Sequence, residues 1–193
     1  MLEFINNLDF FALYWVQEHL RCSFLDGLSA FLSVTFNGGV GWFVIVAVML
    51  FFKKTRVAGV VMMVSILLAF FVGELALKNI IGRVRPCNQD LSVVLAVDRP
   101  LAYSFPSGHT GSSFAAATAL FLCNKKWGVP ALVLATVIGL SRAYLFVHFF
   151  TDVLAGAVLG MLCALAVWYI FKKYKFDDRI TALAGRLHKA FKN

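Results

Sequence analysis

The chain has 193 residues with a formal net charge of +8; 61% are hydrophobic and only 15% are Asp, Glu, Lys or Arg. Soluble domains are about half apolar and about a quarter charged, so this chain carries far more apolar surface than one soluble core needs. The positive balance does not mark a nucleic-acid partner, because twelve of the 18 Lys and Arg residues fall in three places: Lys53, Lys54 and Arg56; Lys125 and Lys126; and the tail from Lys172 to Lys192.

The N-terminus lacks the basic start and small-residue cleavage site of a secretory signal, so residues 4–36 are expected in the mature structure. Leu8, Phe11 and Trp15 share one helical face, with Gln17, Glu18 and Arg21 near its polar end, which predicts a helix lying at the interface. A sixth, imperfect span in this region is the open alternative. Uncharged or nearly uncharged stretches follow at 34–52, 57–77, 127–147 and 149–171, each near the ~20 residues that cross a hydrocarbon core. The stretch 108–123 is shorter and carries no charged residue except the titratable His109. The expected fold is all-α, a multi-pass membrane helical bundle of about five transmembrane helices. It forms a single integral-membrane domain over 1–193, with N-terminal interfacial helices at 1–36 and a basic cytoplasmic tail at 174–193. In that tail Ile180, Leu183, Leu187 and Phe191 recur at helical spacing among Lys and Arg, which suits either a basic amphipathic helix on the inner leaflet or a solvated tail.

The three Lys- and Arg-rich segments follow alternate spans and so share one side, which the positive-inside rule makes the cytoplasm. The connection 80–107 is the only long loop, broken by Arg85-Pro86, Arg99-Pro100 and Pro106. Cys22, Cys87, Cys123 and Cys163 show no metal-ligand spacing; Cys22 and Cys87 would share the outer face, which leaves a disulfide between them open.

With the spans drawn, Lys78, Arg85, Ser107, His109, Arg142, His148 and Asp152 all fall at the outer end. Ionisable groups near membrane depth are costly and normally face a partner or a polar cavity, whereas interfacial anchors would occur at both faces. Lys78, Arg85 and Arg142 supply a point charge and two planar forks suited to phosphate oxygens. Pro106-Ser107-Gly108-His109 leads into an apolar helical run, so free N–H groups and the positive end of a helix dipole would face the same site. Gly108 admits close backbone approach, and the Ser107 hydroxyl can cap the helix or bond a ligand oxygen. His148 and Asp152, four apart, can share a helical face with the carboxylate fixing the imidazole's tautomer; a buried His–Asp pair can also simply join two helices. Glu74, one turn before Lys78, is placed to pair with it, and Arg83 suits an interfacial or head-group contact.

Three segments carry a resemblance. Lys78 to Pro86 has the form K-x6-R-P, Pro106 to His109 is P-S-G-H, and Ser141 to Asp152 is S-R-x5-H-x3-D. In that order they resemble the three-part signature of the type 2 phosphatidic acid phosphatase superfamily, whose membrane branch the flanking helices fit; the vanadium haloperoxidases of the same superfamily are soluble. The resemblance implies that Lys78, Arg85, Arg142, Ser107 and the Gly108 backbone bind phosphate. It also implies that His148 attacks phosphorus, Asp152 orients it, His109 protonates the leaving group, and no metal or other cofactor is required.

The expected substrate is a lipid phosphate or diphosphate within membrane lipids, with undecaprenyl diphosphate first and phosphatidic acid or phosphatidylglycerol phosphate as the alternative. The enzyme is expected in a bacterial-type cytoplasmic membrane with its site outward. A transporter or non-catalytic lipid-binding protein would fit the same polar cluster, but transporters commonly carry inverted repeats and midplane sites, and neither is evident. Lipid preference and oligomeric state are open at this level.

Overall fold

The 61% apolar composition leaves long stretches without charge, and in the computed structural model those stretches are helices. The structure describes residues 2–176 and 180, so the tail pattern through Leu183, Leu187 and Phe191 lies outside the described residues. In chain order the α-helices are α1 (Leu2–His19), α2 (Ser23–Thr35), α3 (Val40–Phe51), α4 (Arg56–Phe70), α5 (Lys78–Ile81), α6 (Pro86–Gln89), α7 (Gly108–Cys123), α8 (Lys125–Tyr144) and α9 (Phe150–Lys173). A π-helical turn, Phe71–Leu77, joins α4 to α5.

Three helical stretches, Arg56–Gln89, Lys125–Tyr144 and Phe150–Lys173, are long and apolar enough to cross a membrane, and α2 with Asn37–Phe51 makes a fourth candidate bent by 46°. The sequence places one straight span over 34–52; the structure breaks it instead. Gly38 and Gly39 both take left-handed backbone, φ 57° and 80°, which a glycine adopts without the Cβ penalty. Apolar side chains such as Val44, Val48, Val133, Leu154 and Leu162 point outward from α3, α8 and α9, as expected where the surrounding medium is hydrocarbon. On α1, Leu8, Phe11 and Trp15 also face outward, while Asp9, Leu13 and Val16 turn into the protein.

The bundle is built around α7, which packs on α4, α8 and α9. Its residues are small: Gly111, Ser112, Ser113, Ala115, Ala116, Ala117 and Ala119 are buried. Facing them on α9 are Gly156 and Gly160; a Cβ at Gly156 would lie 2.6 Å from Ser107 O, and one at Gly160 would strike Gly111 O. Small residues thus let the two backbones touch, the usual solution where lipid removes the hydrophobic drive for helix association. Cys22 is exposed and Cys87 buried, both as free thiols.

Candidate active site

One cavity of about 650 Å³ opens at the end of the bundle where α7 begins, and Lys78, Arg85, Ser107, Gly108, His109, Arg142 and His148 all line it. Residues from the start of α5, the 82–107 loop, α7, α8 and the turn before α9 therefore meet at one place. Asp152 stands behind His148 and does not line the cavity.

Arg142 is 3% exposed, and its Nε and Nη1 are buried with no protein partner. An unpaired buried guanidinium is expensive, and this one lines the cavity with donors to spare. Arg85 is more fully tied: Nε donates to Ala102 O at 2.6 Å, and Nη1 to Val147 O at 2.9 Å. The same Nη1 lies 2.9 Å from His148 Nε2. A guanidinium has no acceptor, so Nε2 must present its lone pair and the neutral ring carries its proton on Nδ1. That Nδ1 lies 3.6 Å from Asp152 Oδ2, longer than a hydrogen bond, and has no other partner. His148 sits in the turn between α8 and α9, where burial first, and then Arg85, Arg142 and Lys78, hold its imidazole well below the ordinary histidine range. Its free-base form, the one with a lone pair to give, is thereby favoured.

Lys78, 7% exposed, donates from Nζ to Glu74 Oε1 at 2.6 Å, the pairing the sequence suggested. The Glu74 carboxylate rests against Gly108, where any Cβ would collide with it. Ser107 N–H is spent on Asp152 O at 3.1 Å, and the first intrahelical bond runs from Gly111 N to Ser107 O. The free backbone donors at the start of α7 accordingly begin at Gly108. Of the two roles the sequence allows the Ser107 hydroxyl, helix capping is not seen; it accepts from Thr110 Oγ1 at 2.9 Å instead. His109 Nε2 lies 3.0 Å from Ser33 O, a bond in which the ring nitrogen must donate.

Arg83, read from the sequence as an interfacial or head-group contact, does not line the cavity and is tied to side chains of α1 and α9. Its Nη1 donates to Asp152 Oδ1 and Thr151 Oγ1, both at 2.7 Å, and its Nη2 to Asp9 Oδ2 at 2.9 Å and Asn6 Oδ1 at 3.2 Å. Sequence reasoning missed Asp9 altogether, although it is the only charged residue between Phe4 and Val16. Among the described residues no group of three or more His, Cys, Asp or Glu is placed to hold a metal ion.

The family model for the PAP2 superfamily matches residues 58–176, a stretch that holds every cavity residue named above except Ser33. The chain belongs to the PAP2 superfamily. It is 32% identical over 149 residues to the undecaprenyl-diphosphatase of Sulfolobus acidocaldarius, covering 77% of this chain and 71% of that one. Among solved structures it is similar to Aquifex aeolicus LpxE, with TM-score 0.74 and 26% identity over 84% of this chain and 95% of that one. It is likewise similar to the transmembrane PAP2 type phosphatidylglycerolphosphate phosphatase of Bacillus subtilis, with TM-score 0.71 and 27% identity over 88% and 87%. The resemblance found in the three sequence motifs is thus shown at family level, and this PAP2 member is a membrane phosphatase.

Proposed function

We propose that this PAP2 enzyme converts undecaprenyl diphosphate to undecaprenyl phosphate through a phosphohistidine on His148, at the outer face of a bacterial-type cytoplasmic membrane. The observation that carries the reading is the buried, unpartnered Arg142 fork aimed into a cavity that also holds Lys78, Arg85 and two histidines. The same cavity has an apolar side lined by Val34, Phe43, Ile66, Leu67 and Phe70, which suits a long hydrocarbon tail. The 32% identity to an undecaprenyl-diphosphatase supports the choice of head group.

In this mechanism Lys78, Arg85, Arg142 and the α7 N-terminus take the equatorial oxygens of the terminal phosphoryl group, neutralising charge that Mg²⁺ handles elsewhere. His148 Nε2 forms a bond to phosphorus as the bond to the lipid phosphate oxygen breaks, and His109 gives that oxygen its proton. Water then attacks phosphorus, passing a proton back to His109, and the N–P bond breaks to release phosphate. Asp152 faces Nδ1 and stabilises the cationic ring while it carries the phosphoryl group. Single-domain organisation over the chain and an interfacial α1 belong to the same reading.

Phosphate release by the purified chain tests this, with undecaprenyl diphosphate, phosphatidic acid and phosphatidylglycerol phosphate supplied side by side in a chelator. The expected result is full activity without divalent metal, a kcat/KM for the diphosphate about tenfold or more above either monoester, and inhibition by vanadate, which mimics the trigonal-bipyramidal phosphoryl group. Preference for phosphatidylglycerol phosphate would transfer the assignment to that lipid. Activity lost in chelator and restored by Mg²⁺ would overturn the metal-free route.

A further inference from the structure

The face of His148 turned away from the cavity ends in a buried ionic chain that begins on α1. Asp152 Oδ2 accepts from Phe149 N–H at 2.9 Å, and Oδ1 accepts from Arg83 at 2.7 Å. Arg83, its guanidinium 3.8 Å from the Phe149 ring centre, continues to Asp9 at 2.9 Å. Asp9 is 4% exposed; it accepts from Thr151 N–H at 3.2 Å and also from the Thr151 hydroxyl. The cation Arg83 is therefore shared between two carboxylates, and the trio keeps one net negative charge.

That charge count matters for His148. Arg85 from the loop, Lys78 at the start of α5 with its partner Glu74 from the π turn, His109 from α7 and Arg142 from α8 line the cavity side of the ring, while Asp152 faces it from α9. Arg83 alone would hold Asp152 in place but offset its charge, and the Glu74 carboxylate on the cavity side is already matched by Lys78, so little net negative charge would be left to stabilise the cation formed on attack. Asp9 restores it.

We propose that Asp9 and Arg83 are positioning residues for the phosphoryl-transfer step: Arg83 fixes the Asp152 carboxylate against His148, and Asp9, from the N-terminal helix, offsets the charge Arg83 would otherwise cancel. The proposal rests on His148 as nucleophile. Asp9 lies outside the residues 58–176 that the family model matches, so its part in the site comes from the geometry of this chain.

The test uses the full chain purified in detergent and the pH dependence of kcat/KM, whose acidic limb follows protonation of the nucleophile. Asp9→Asn removes a charge at nearly constant size, so Arg83 neutralises Asp152 and the limb moves to lower pH by roughly half a unit or more, with kcat down about tenfold. Arg83→Gln moves the limb in the opposite direction. The double variant restores the single net charge and returns the limb toward its wild-type position, a reversal that lost packing does not produce. Wild-type limbs in both single variants overturn the proposal, provided His148→Ala is inactive; an active His148→Ala overturns the nucleophile reading instead. Should Asp9→Asn not fold, Asp9→Glu keeps the charge but displaces it. A lowered kcat with unchanged KM then supports the positioning role, and an unchanged kcat overturns it.

Discussion

The two ring nitrogens of His148 face different worlds, Nε2 the cavity cations and Nδ1 the buried carboxylate, and this asymmetry sets what substitutions do. His148→Ala is expected to lower turnover by about a thousandfold or more at unchanged elution volume, because the cluster holds no alternative nucleophile in that position. Retention of more than roughly a tenth of wild-type phosphate release would sink the assignment. For Asp152→Asn the sequence suggests a milder loss, since the attacking nitrogen stays. The structure adds a folding cost: both oxygens accept from donors, Phe149 N–H and Arg83, so an amide NH₂ must oppose one of them. Most of the cavity residues were legible because charges in an apolar sequence stand out, and Lys78, Arg85, Arg142 and His148 needed only the spans to be drawn around them. Arg83 was visible but misplaced, because its partners lie 69 and 74 residues away in sequence and no local spacing reports them. Asp9 carries the same signal as the others, a lone charge in an apolar run, but the apolar Leu8, Phe11 and Trp15 face beside it reads as an interfacial helix and masks the inward side.

Glycines decide how the elements meet. The start of α7 reaches His148 and Asp152 only because Gly156 and Gly160 let α9 lie directly against the backbone of Ser107 and Gly111. Gly160→Ala drives a methyl group into the Gly111 carbonyl, and the two helices must separate or tilt. Overpacking of this kind costs roughly 1–3 kcal/mol, so the detergent-solubilised variant should melt several degrees below wild type. Because the Ser107 N–H to Asp152 O bond spans the same seam, activity should fall as well. An unchanged melting temperature would show that the seam has slack. Helix identity along the chain was readable from apolar run length, but two local departures were not. The π turn at Phe71–Leu77 shifts Glu74 and Lys78 round the helix through backbone geometry that side-chain pattern does not encode. The break at Asn37–Gly39 is signalled by Asn-Gly-Gly, a turn sequence set against the long apolar run that follows it.

At the scale of the whole molecule, the distribution of charge orients the site. Arg85, Arg142, His148 and the 82–107 loop lie at one end, whereas Lys53 and Lys54, in the turn between α3 and α4, and Lys125 and Lys126, which open α8 just after α7 ends, lie at the other. The proposed outward site rests on the bias of Lys and Arg to cytoplasmic loops, which assigns the basic end to the cytoplasm and the cavity to the opposite face. A unique cysteine at Ser92, in a background with the four native cysteines replaced, should react in intact cells with a membrane-impermeant maleimide; one at Thr55 should not. Ser92 lies in the loop beside the cavity and is exposed, and Thr55 precedes α4 in the basic turn, so the two positions report opposite ends of the bundle. Ser92 also bonds Asp90 through its hydroxyl at 2.7 Å, a surface contact whose loss leaves the buried cavity residues in place. Replacing Cys87, which is fully buried beside Arg85, calls for a small apolar residue and a check that phosphate release survives. The reverse labelling pattern would put the cavity on the cytoplasmic face, and the enzyme would then meet newly made inner-leaflet lipids rather than a carrier diphosphate released outside.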